Sequence, residues 1–367
     1  MATVNEALLD AAVSHQIDQT RYSTGAVRRI IAILNRTDAD LFAQLVAALE
    51  RMPAGGFSVD RLDALLQSVR ALNERAYAAV RQGIEGELRA YADYEAGYQL
   101  QLFKATLPVQ VSVAAVSVEQ AYAAALARPF QGRLLREWAA GIEADRMVRI
   151  RDALRVGYVE GQTIDQMVRR IRGTRARGYE DGIIEIDRRN AAAVVRTATQ
   201  HVAGTVRDRF LGANSDLIAA ETWVSTLDGR TSHQCRIRDG LRYTAGDHKP
   251  IGHKVPWGAG PGRLHWNCRS GSVPVLKSWR ELGIDEDELP ASTRASMDGQ
   301  VPEDTTYAQW LKKQSAARQD DILGPSRGKL FRAGKLEMDR FYDDKGRWLS
   351  LDEMRERDAA AFKRAGV

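Results

Sequence analysis

The clearest pattern in the chain is a stripe of apolar residues that recur at intervals of three and four. It follows Ser58 and ends at Tyr98, and its members are Leu62, Leu65, Leu66, Val69, Leu72, Tyr77, Val80, Ile84, Leu88, Tyr91, Tyr94 and Tyr98. This spacing predicts one long amphipathic helix, about 60 Å long at 1.5 Å per residue. A helix of that length predicts an arm, or a rod packed along neighbouring helices. The tyrosines could stack on bases, but packing against a partner helix is the expected role.

The remainder of the first half also reads as helical. Residues 137–161 and 187–212 are amphipathic and carry several arginines, which could meet DNA, an acidic partner or only solvent. Helix starts and stops are indicated by capping-box pairs and by glycines: Ser117 with Gln120, Thr163 with Gln166, Asp187, Gly161, Gly173 and Gly212. We therefore expect helices up to about residue 212.

The pattern changes after Asn214. Residues 221–228 and 270–276 read as β-strands, and the sequence between them is rich in Gly, Pro and His. Beyond residue 276 an acidic stretch (283–290) precedes short helices at 307–324 and 350–366. This last part predicts a tail with a sparse core that needs a neighbour to stay ordered.

Composition is that of an ordinary folded protein. With 367 residues and 44% hydrophobic content, the chain is long enough for two or three domains with real cores. No run of about 18 apolar residues occurs, and the first residues lack the pattern of a signal peptide, so we expect no membrane anchor and synthesis in the cytoplasm. The net charge of +5, from 53 basic and 48 acidic residues, is compatible with non-specific DNA contact and with a simple mixed-charge surface.

Candidate chemistry centres on the two cysteines, which lie in "TSHQC" and "HWNC". Imidazole nitrogen and thiolate sulfur are favoured zinc donors, so His233, Cys235, His265 and Cys268 are candidate ligands of a structural zinc ion. Two alternatives stay open: a pair of buried free thiols, and a disulfide formed in an oxidising medium. No other cofactor is indicated.

Further residues of the two loops have structural interpretations. Asp228 and Gly229 predict a tight turn held by bonds from side chain to backbone. Arg269 could form a bidentate pair with Asp228 or with Asp239, which would tie the loops together. The large apolar side chains that could seal such a small module are Trp223, Trp257 and Trp266.

An enzymatic interpretation competes with this structural one. "GDHKP" followed by "HWNC" is similar to the HNH nuclease arrangement, with His248 and Asn267 as the metal-binding and orienting residues. No histidine follows His265, however, so that ligand set is incomplete. A nucleophile and base could also be drawn from Ser225, Ser232 and His233, but no G-x-S-x-G elbow accompanies them. The expectation is a protein that is not an enzyme.

Together these segments resemble the phage Mu F-like minor head protein family, also called the phage head morphogenesis domain. The resemblance spans about residues 150–276 and rests on "TWVSTLDGRTSHQCRIRDGLRY" and "GRLHWNCRSGSVPV", with a similar tail at 307–336. The matching positions are Asp228, Arg230, Thr231, Cys235, Asp239, Gly240, His265, Cys268 and Arg269. Many members have a cysteine where this chain has Ser232, which removes one good zinc ligand unless His233 replaces it.

The resemblance implies a predominantly helical α+β protein with three regions: helices with a long arm (1–185), a small Mu F-like α+β domain (186–276), and an extended tail with short helices (277–367). It implies a minor capsid protein in the virion, present in several copies at the portal vertex inside the capsid. Expected partners are the portal protein and other head proteins, and the expected roles are head morphogenesis, DNA packaging or DNA ejection. The alternatives are an HNH-like metal-dependent nuclease and a Mu F-type adaptor of a secreted toxin.

Overall fold

The computed structural model describes residues 4–51, 59–107, 111–278, 281–282, 293–296, 298–302 and 305–367, so Ser58 and the acidic stretch 283–290 lie outside the described residues. The helices are α1 Val4–Glu50, α2 Val59–Thr106, α3 Val118–Ala127, α4 Leu135–Val159, α5 Ile164–Arg172, α6 Glu185–Ala213, α7 His233–Arg236, α8 Tyr307–Lys312, α9 Ala316–Leu323, α10 Pro325–Arg332, α11 Leu351–Arg357 and α12 Ala359–Ala365. The strands are β1 Ile218–Val224, β2 Arg242–Tyr243, β3 Pro250–Ile251, β4 Gly271–Leu276, β5 Thr293–Ser296 and β6 Gly299–Pro302.

The predicted fold class is confirmed: the protein is α+β and predominantly helical, with long N-terminal helices and a small antiparallel sheet. The predicted long helix is α2, and the predicted strands are β1 and β4. In the part of the chain that the structure describes, no helix is both long and apolar enough to cross a bilayer.

The chain forms two compact units that are interleaved in sequence. The first unit comprises Met1–Thr20, Ala92–Ala125 and Gln200–Val367, and the second comprises Arg21–Tyr91 and Leu126–Thr199. Helices α1, α2 and α6 each contribute residues to both units. The boundaries predicted at residues 185 and 276 remain predictions.

The second unit is built around the apolar faces of α1, α2, α4 and α5. Its core contains Leu41, Leu45, Leu49, Leu65, Leu66, Val69, Ile150, Leu154, Met167, Ile171 and Ile184. The predicted capping box starts α5. The Thr163 hydroxyl oxygen accepts from the Gln166 backbone N–H, and the Gln166 side-chain oxygen accepts from the Thr163 backbone N–H. Gly173, also predicted, ends this helix with a φ of 90°.

The first unit contains a four-stranded antiparallel sheet in the order β3-β2-β1-β4. One core group packs α1, α2 and α6 against this sheet through Leu8, Phe103, Phe210, Leu211, Leu217, Ile218, Val224, Val273 and Leu276. The predicted packing of the tyrosine stripe is seen at Tyr98, whose ring stacks 3.7 Å from that of His15 on α1. Tyr94, by contrast, is about half exposed.

A buried polar cluster lies beside this packing and was not predicted. The Glu95 carboxylate is fully buried and bonds His15 Nε2 at 2.7 Å, Gln19 at 3.2 Å and Gln99 at 2.8 Å. Arg207 of α6 lies 3.5 Å away. Although burial alone opposes ionisation, the His15 bond and the Arg207 charge lower the pKa of Glu95 to about 2.

The tail forms the short helices that were predicted, but the expected sparse core is wrong. Its helices bury a large apolar group whose members include Tyr307, Trp310, Leu311, Leu323, Leu330, Phe331, Met338, Phe341, Tyr342, Leu349, Met354 and Phe362. Leu227, which follows β1, belongs to the same group. The tail is therefore ordered by contacts within its own unit.

Candidate functional site

The two cysteine loops lie side by side because of strand pairing. Val224 at the end of β1 faces Gly271 at the start of β4. The loop that follows β1 and the loop that precedes β4 therefore lie at the same end of this strand pair. Asp228 opens the first loop with the predicted turn: one of its oxygens accepts from the Arg230 N–H at 3.0 Å.

An ion pair joins the loops as predicted. Arg269 Nη1 donates to Asp228 Oδ2 at 2.7 Å, and Arg269 Nη2 donates to Asp228 Oδ1 at 2.8 Å. The side chains are only 26% and 13% exposed. Burial by itself would raise the pKa of Asp228, but the bonds and charge of Arg269 hold it below its ordinary value. The carboxylate is thus ionised at neutral pH, and the pair acts as a brace between the loops.

Asp239, the other predicted partner of Arg269, has a different role. It is buried, and its two oxygens accept backbone N–H groups of Ser225 at 2.6 Å and Tyr307 at 2.7 Å. Tyr307 also donates its hydroxyl to the Asp228 carbonyl at 2.8 Å. These bonds fix the first cysteine loop to the start of α8 in the tail.

Three of the four predicted zinc ligands come together. Cys235 Sγ lies 3.6 Å from Cys268 Sγ and 3.3 Å from His265 Nε2. Both cysteines are free thiols and are almost fully buried. Ser232, which caps α7 by accepting from the Cys235 N–H, also lies 2.8 Å from His265 Nε2. His233 is not part of this donor group. Its ring lies 5.6 Å from the Trp348 ring, and its carbonyl accepts from Tyr342.

The distances from Cys235 Sγ to Cys268 Sγ and to His265 Nε2 are close to those of a tetrahedral zinc centre. With Zn–S near 2.3 Å and Zn–N near 2.05 Å, tetrahedral geometry puts sulfur atoms about 3.8 Å apart and sulfur and nitrogen about 3.6 Å apart. His265 Nδ1 lies 2.9 Å from the Trp266 carbonyl, which can only accept, so Nδ1 carries the proton. In the neutral ring Nε2 then carries the lone pair that a ligand requires, and this nitrogen contacts Cys235 Sγ and Ser232 Oγ.

The pKa values of the two thiols are shifted in opposite directions. A bond from the Cys235 thiol, together with nearby His265, lowers the pKa of Cys268 well below that of an ordinary thiol. The same bond, together with burial, raises the pKa of Cys235. Cys268 is therefore the thiol that ionises more readily, and the thiolate is the form that binds a metal.

Aromatic side chains cover this centre largely as predicted. Trp223 and Trp257 are buried and belong, with Tyr243, to the apolar group around the cysteines. The Trp223 and Trp257 rings meet edge to face at 5.3 Å. Trp266 is only partly buried.

A second donor group forms around His248, one of the residues of the nuclease hypothesis. Its ring nitrogen, a carboxylate oxygen of Glu221 on β1 and one of Asp208 on α6 all lie within 4.8 Å of one another. Neither carboxylate is among the predicted site residues. The available signal was the single acidic residue in the otherwise apolar strand "IAAETWV". Asn267, the other residue of that hypothesis, lies in the loop before Cys268 with a φ of 55°.

Comparison with known proteins identifies the region that carries these sites. Residues 148–272 match the family described as phage Mu protein F like protein. The match covers about a third of the chain and includes α5, α6, β1 and both cysteine loops. Comparisons with curated proteins and with solved structures gave no match. The family suggests a phage head morphogenesis protein, typically structural and located in the virion. Over residues 148–272, the chain is therefore similar to the phage Mu F-like family, which supports the resemblance seen in its motifs.

Proposed function

We propose that the protein is a minor head protein that binds the portal vertex from inside the capsid. There it assists head morphogenesis, DNA packaging or DNA ejection, in several copies and alongside other head proteins. The observation that carries this proposal is the family match over residues 148–272. The Asp228–Arg269 brace supports it, because a rigid pair of loops suits a docking piece and requires no reaction.

Binding to the portal protein encoded by the same phage tests this proposal directly. The two proteins are co-expressed, and the complex is isolated by affinity purification and size-exclusion chromatography. We expect the wild-type chain and Arg230→Ala to co-purify with the portal. Arg230 is exposed and lies 3.9 Å from Asp228, so its removal leaves the Asp228–Arg269 brace in place. Phage particles produced without this protein should have defective heads, or should fail to package or to eject their DNA. A chain that neither binds the portal nor occurs in purified virions would overturn the proposal.

We propose non-specific DNA contact through exposed arginines at the end of α5 and in the short helix Arg175–Arg177. Arg169, Arg172, Arg175 and Arg177 are all exposed. Four phosphate contacts would give log Kobs against log salt a slope of about −3.6. Fluorescence anisotropy with duplex DNA should show that slope, and replacing all four by alanine should abolish it. An unchanged slope in the quadruple variant would exclude this surface.

We propose that Cys235, His265 and Cys268 hold a structural zinc ion, and that His233 does not contribute. Zinc at this position would link the loops where they leave the sheet, beside the Asp228–Arg269 pair. Elemental analysis of purified protein should give one zinc per chain. Cys268→Ser should lose the metal, and His233→Ala should retain it. Wild-type protein without zinc, or loss of zinc in His233→Ala alone, would contradict this assignment.

We propose that the protein acts without catalysis. Incubation with plasmid DNA and Mg²⁺ or Mn²⁺ should leave the DNA intact. His248→Ala is the matched variant for the nuclease hypothesis. Metal-dependent cutting by wild-type protein but not by His248→Ala would replace our proposal with a nuclease.

A further inference from the structure

The group formed by Asp208, Glu221 and His248 is built from three different elements. Asp208 lies on α6, Glu221 lies in the middle of β1, and His248 lies in the turn between β2 and β3. One possible ligand atom from each lies within 4.8 Å of the other two. The side chain of Glu221 is fully buried, whereas those of His248 and Asp208 are 16% and 14% exposed. The group is thus largely buried, with limited exposure at His248 and Asp208.

Glu221 is the unusual member. Its neighbours across the sheet are Tyr243 on β2 and Pro274 on β4, neither of which brings a charge. Neither of its carboxylate oxygens accepts a hydrogen bond from a described residue. His248 Nε2 lies 3.2 Å from one of them but is not aligned to donate. Burying a carboxylate without an aligned hydrogen-bond donor is costly, so a positive ligand at this position would be stabilising.

The backbone holds His248 toward this carboxylate. Its φ is 51°, a left-handed conformation that is uncommon for residues other than glycine. The turn is fixed by the bond from the His248 N–H to the Thr244 carbonyl at 3.1 Å. The imidazole stacks on Trp257 with ring centres 4.4 Å apart and an angle of 4°. These contacts leave the ring little freedom to rotate away from Glu221.

Charge at the group leaves room for a cation. Arg263 is buried and donates to Asp208 Oδ2 at 2.7 Å, which neutralises that carboxylate. His248 Nε2 lies 3.2 Å from the Glu221 carboxylate and adds a positive charge there when the ring is protonated. A divalent cation would take the place of that proton and meet both carboxylates.

We propose that Asp208, Glu221 and His248 form a second metal site, specific for a divalent first-row transition metal such as Mn²⁺ or Zn²⁺. Two carboxylates and one imidazole suit these ions, since imidazole disfavours Mg²⁺ and Ca²⁺ and the absence of thiolate disfavours soft cations. The site is independent of the thiol centre and of the proposed portal binding.

Electron paramagnetic resonance with Mn²⁺ is the appropriate test, because the thiol centre has little affinity for this ion. Titrating metal-free protein should remove the six-line signal of free Mn²⁺ with one site per chain, and added Zn²⁺ should release the bound Mn²⁺. Glu221→Gln keeps the shape of the side chain and removes its charge, so we expect binding at least about 100-fold weaker. Asp247→Asn, which changes an exposed carboxylate next to His248, serves as the control and should bind Mn²⁺ as wild-type protein does.

His248→Asn provides an independent variant, because asparagine tolerates the left-handed conformation and lacks the imidazole. It should also lose Mn²⁺, and circular dichroism should show that it is folded. If Glu221→Gln does not fold, His248→Asn decides the question. Wild-type protein that leaves the Mn²⁺ signal unchanged, or folded variants at Glu221 and His248 that bind normally, would overturn the proposal.

Discussion

The Asp228–Arg269 pair should show strong energetic coupling in a double-mutant cycle. The changes are Asp228→Asn, Arg269→Gln and the two combined. Two charge-assisted bonds of 2.7 and 2.8 Å, between side chains 13% and 26% exposed, place the pair between surface and buried ion pairs. Exposed pairs contribute about 0–1 kcal/mol, whereas breaking a buried pair costs about 3–5 kcal/mol. We therefore expect a coupling energy of about 1.5–3 kcal/mol.

The assay is urea unfolding at pH 7, followed by tryptophan fluorescence and by circular dichroism at 222 nm. Trp223 and Trp257 are buried in the apolar group that contains both cysteines, so fluorescence reports on this region, and coincident transitions would justify a two-state treatment. The matched control is Arg230→Ala in the same turn. Its side chain is 86% exposed and 3.9 Å from Asp228, so its removal should cost less than about 0.5 kcal/mol.

The coupling should depend on pH in a definite direction. The pKa of Asp228 is below its ordinary value of 3.8, so the pair is fully stabilising above that pH and is lost as pH falls through the folded-state pKa. Single changes whose free energies add within about 0.3 kcal/mol at pH 7 would refute the brace. So would a cost for Arg230→Ala as large as that for Arg269→Gln.

Three further predictions concern other parts of the fold. The pKa of Glu95 is lowered to about 2, so the stability that it contributes should be present above pH 4.5 and lost as pH falls toward 2; Glu95→Gln should cost about 3 kcal/mol at pH 7 in urea unfolding, and a cost independent of pH would contradict this. Asp239→Ala removes the acceptor for the Ser225 and Tyr307 N–H groups and should cost about 2–4 kcal/mol, with faster hydrogen exchange at both amides; unchanged exchange would show that those bonds are unimportant. Gly86→Ala should raise stability by about 0.5–1 kcal/mol, because an added Cβ meets nothing within 4 Å in the middle of α2. Gly182→Ala should lower stability, because its Cβ would lie 2.3 Å from the Arg172 carbonyl oxygen. Thermal unfolding compares the two variants, and equal effects would be inconsistent with this packing.

Local patterns predicted the elements of this protein well. The stripe up to Tyr98 was a helix because 3.6-residue periodicity is a property of neighbouring residues, and Thr163 and Gln166 formed their capping box for the same reason. The Asp228–Arg269 pair could be predicted from the motif because each side chain lies beside a paired strand. The helix that was expected to open at Asp187 begins at Glu185, two residues earlier.

Features that depend on distant contacts were missed. The tail core joins Tyr307 and Trp310 to residues such as Phe362, and no local pattern in short polar helices reveals such packing. The second donor group forms because α6, β1 and the turn between β2 and β3 come together in the fold. Nothing in the sequence spacing of Asp208, Glu221 and His248 indicates this proximity. His233 was assigned with the zinc ligands from its position beside Cys235, but as the first residue of α7 it contacts Trp348 instead.

The N-terminal segment is part of the structural support of the Mu F-like region. Asn5 accepts the N–H of Leu276, the last residue of β4, at 2.8 Å, and Leu8 packs in the same core group as Phe210 of α6. A fragment trimmed to residues 148–272 would therefore lose most of β4 and leave α6 with exposed apolar surface, and we expect it to aggregate when produced alone. The region that matches the family is therefore shorter than the region that the fold requires. Truncated variants that are intended to fold should retain the first helix.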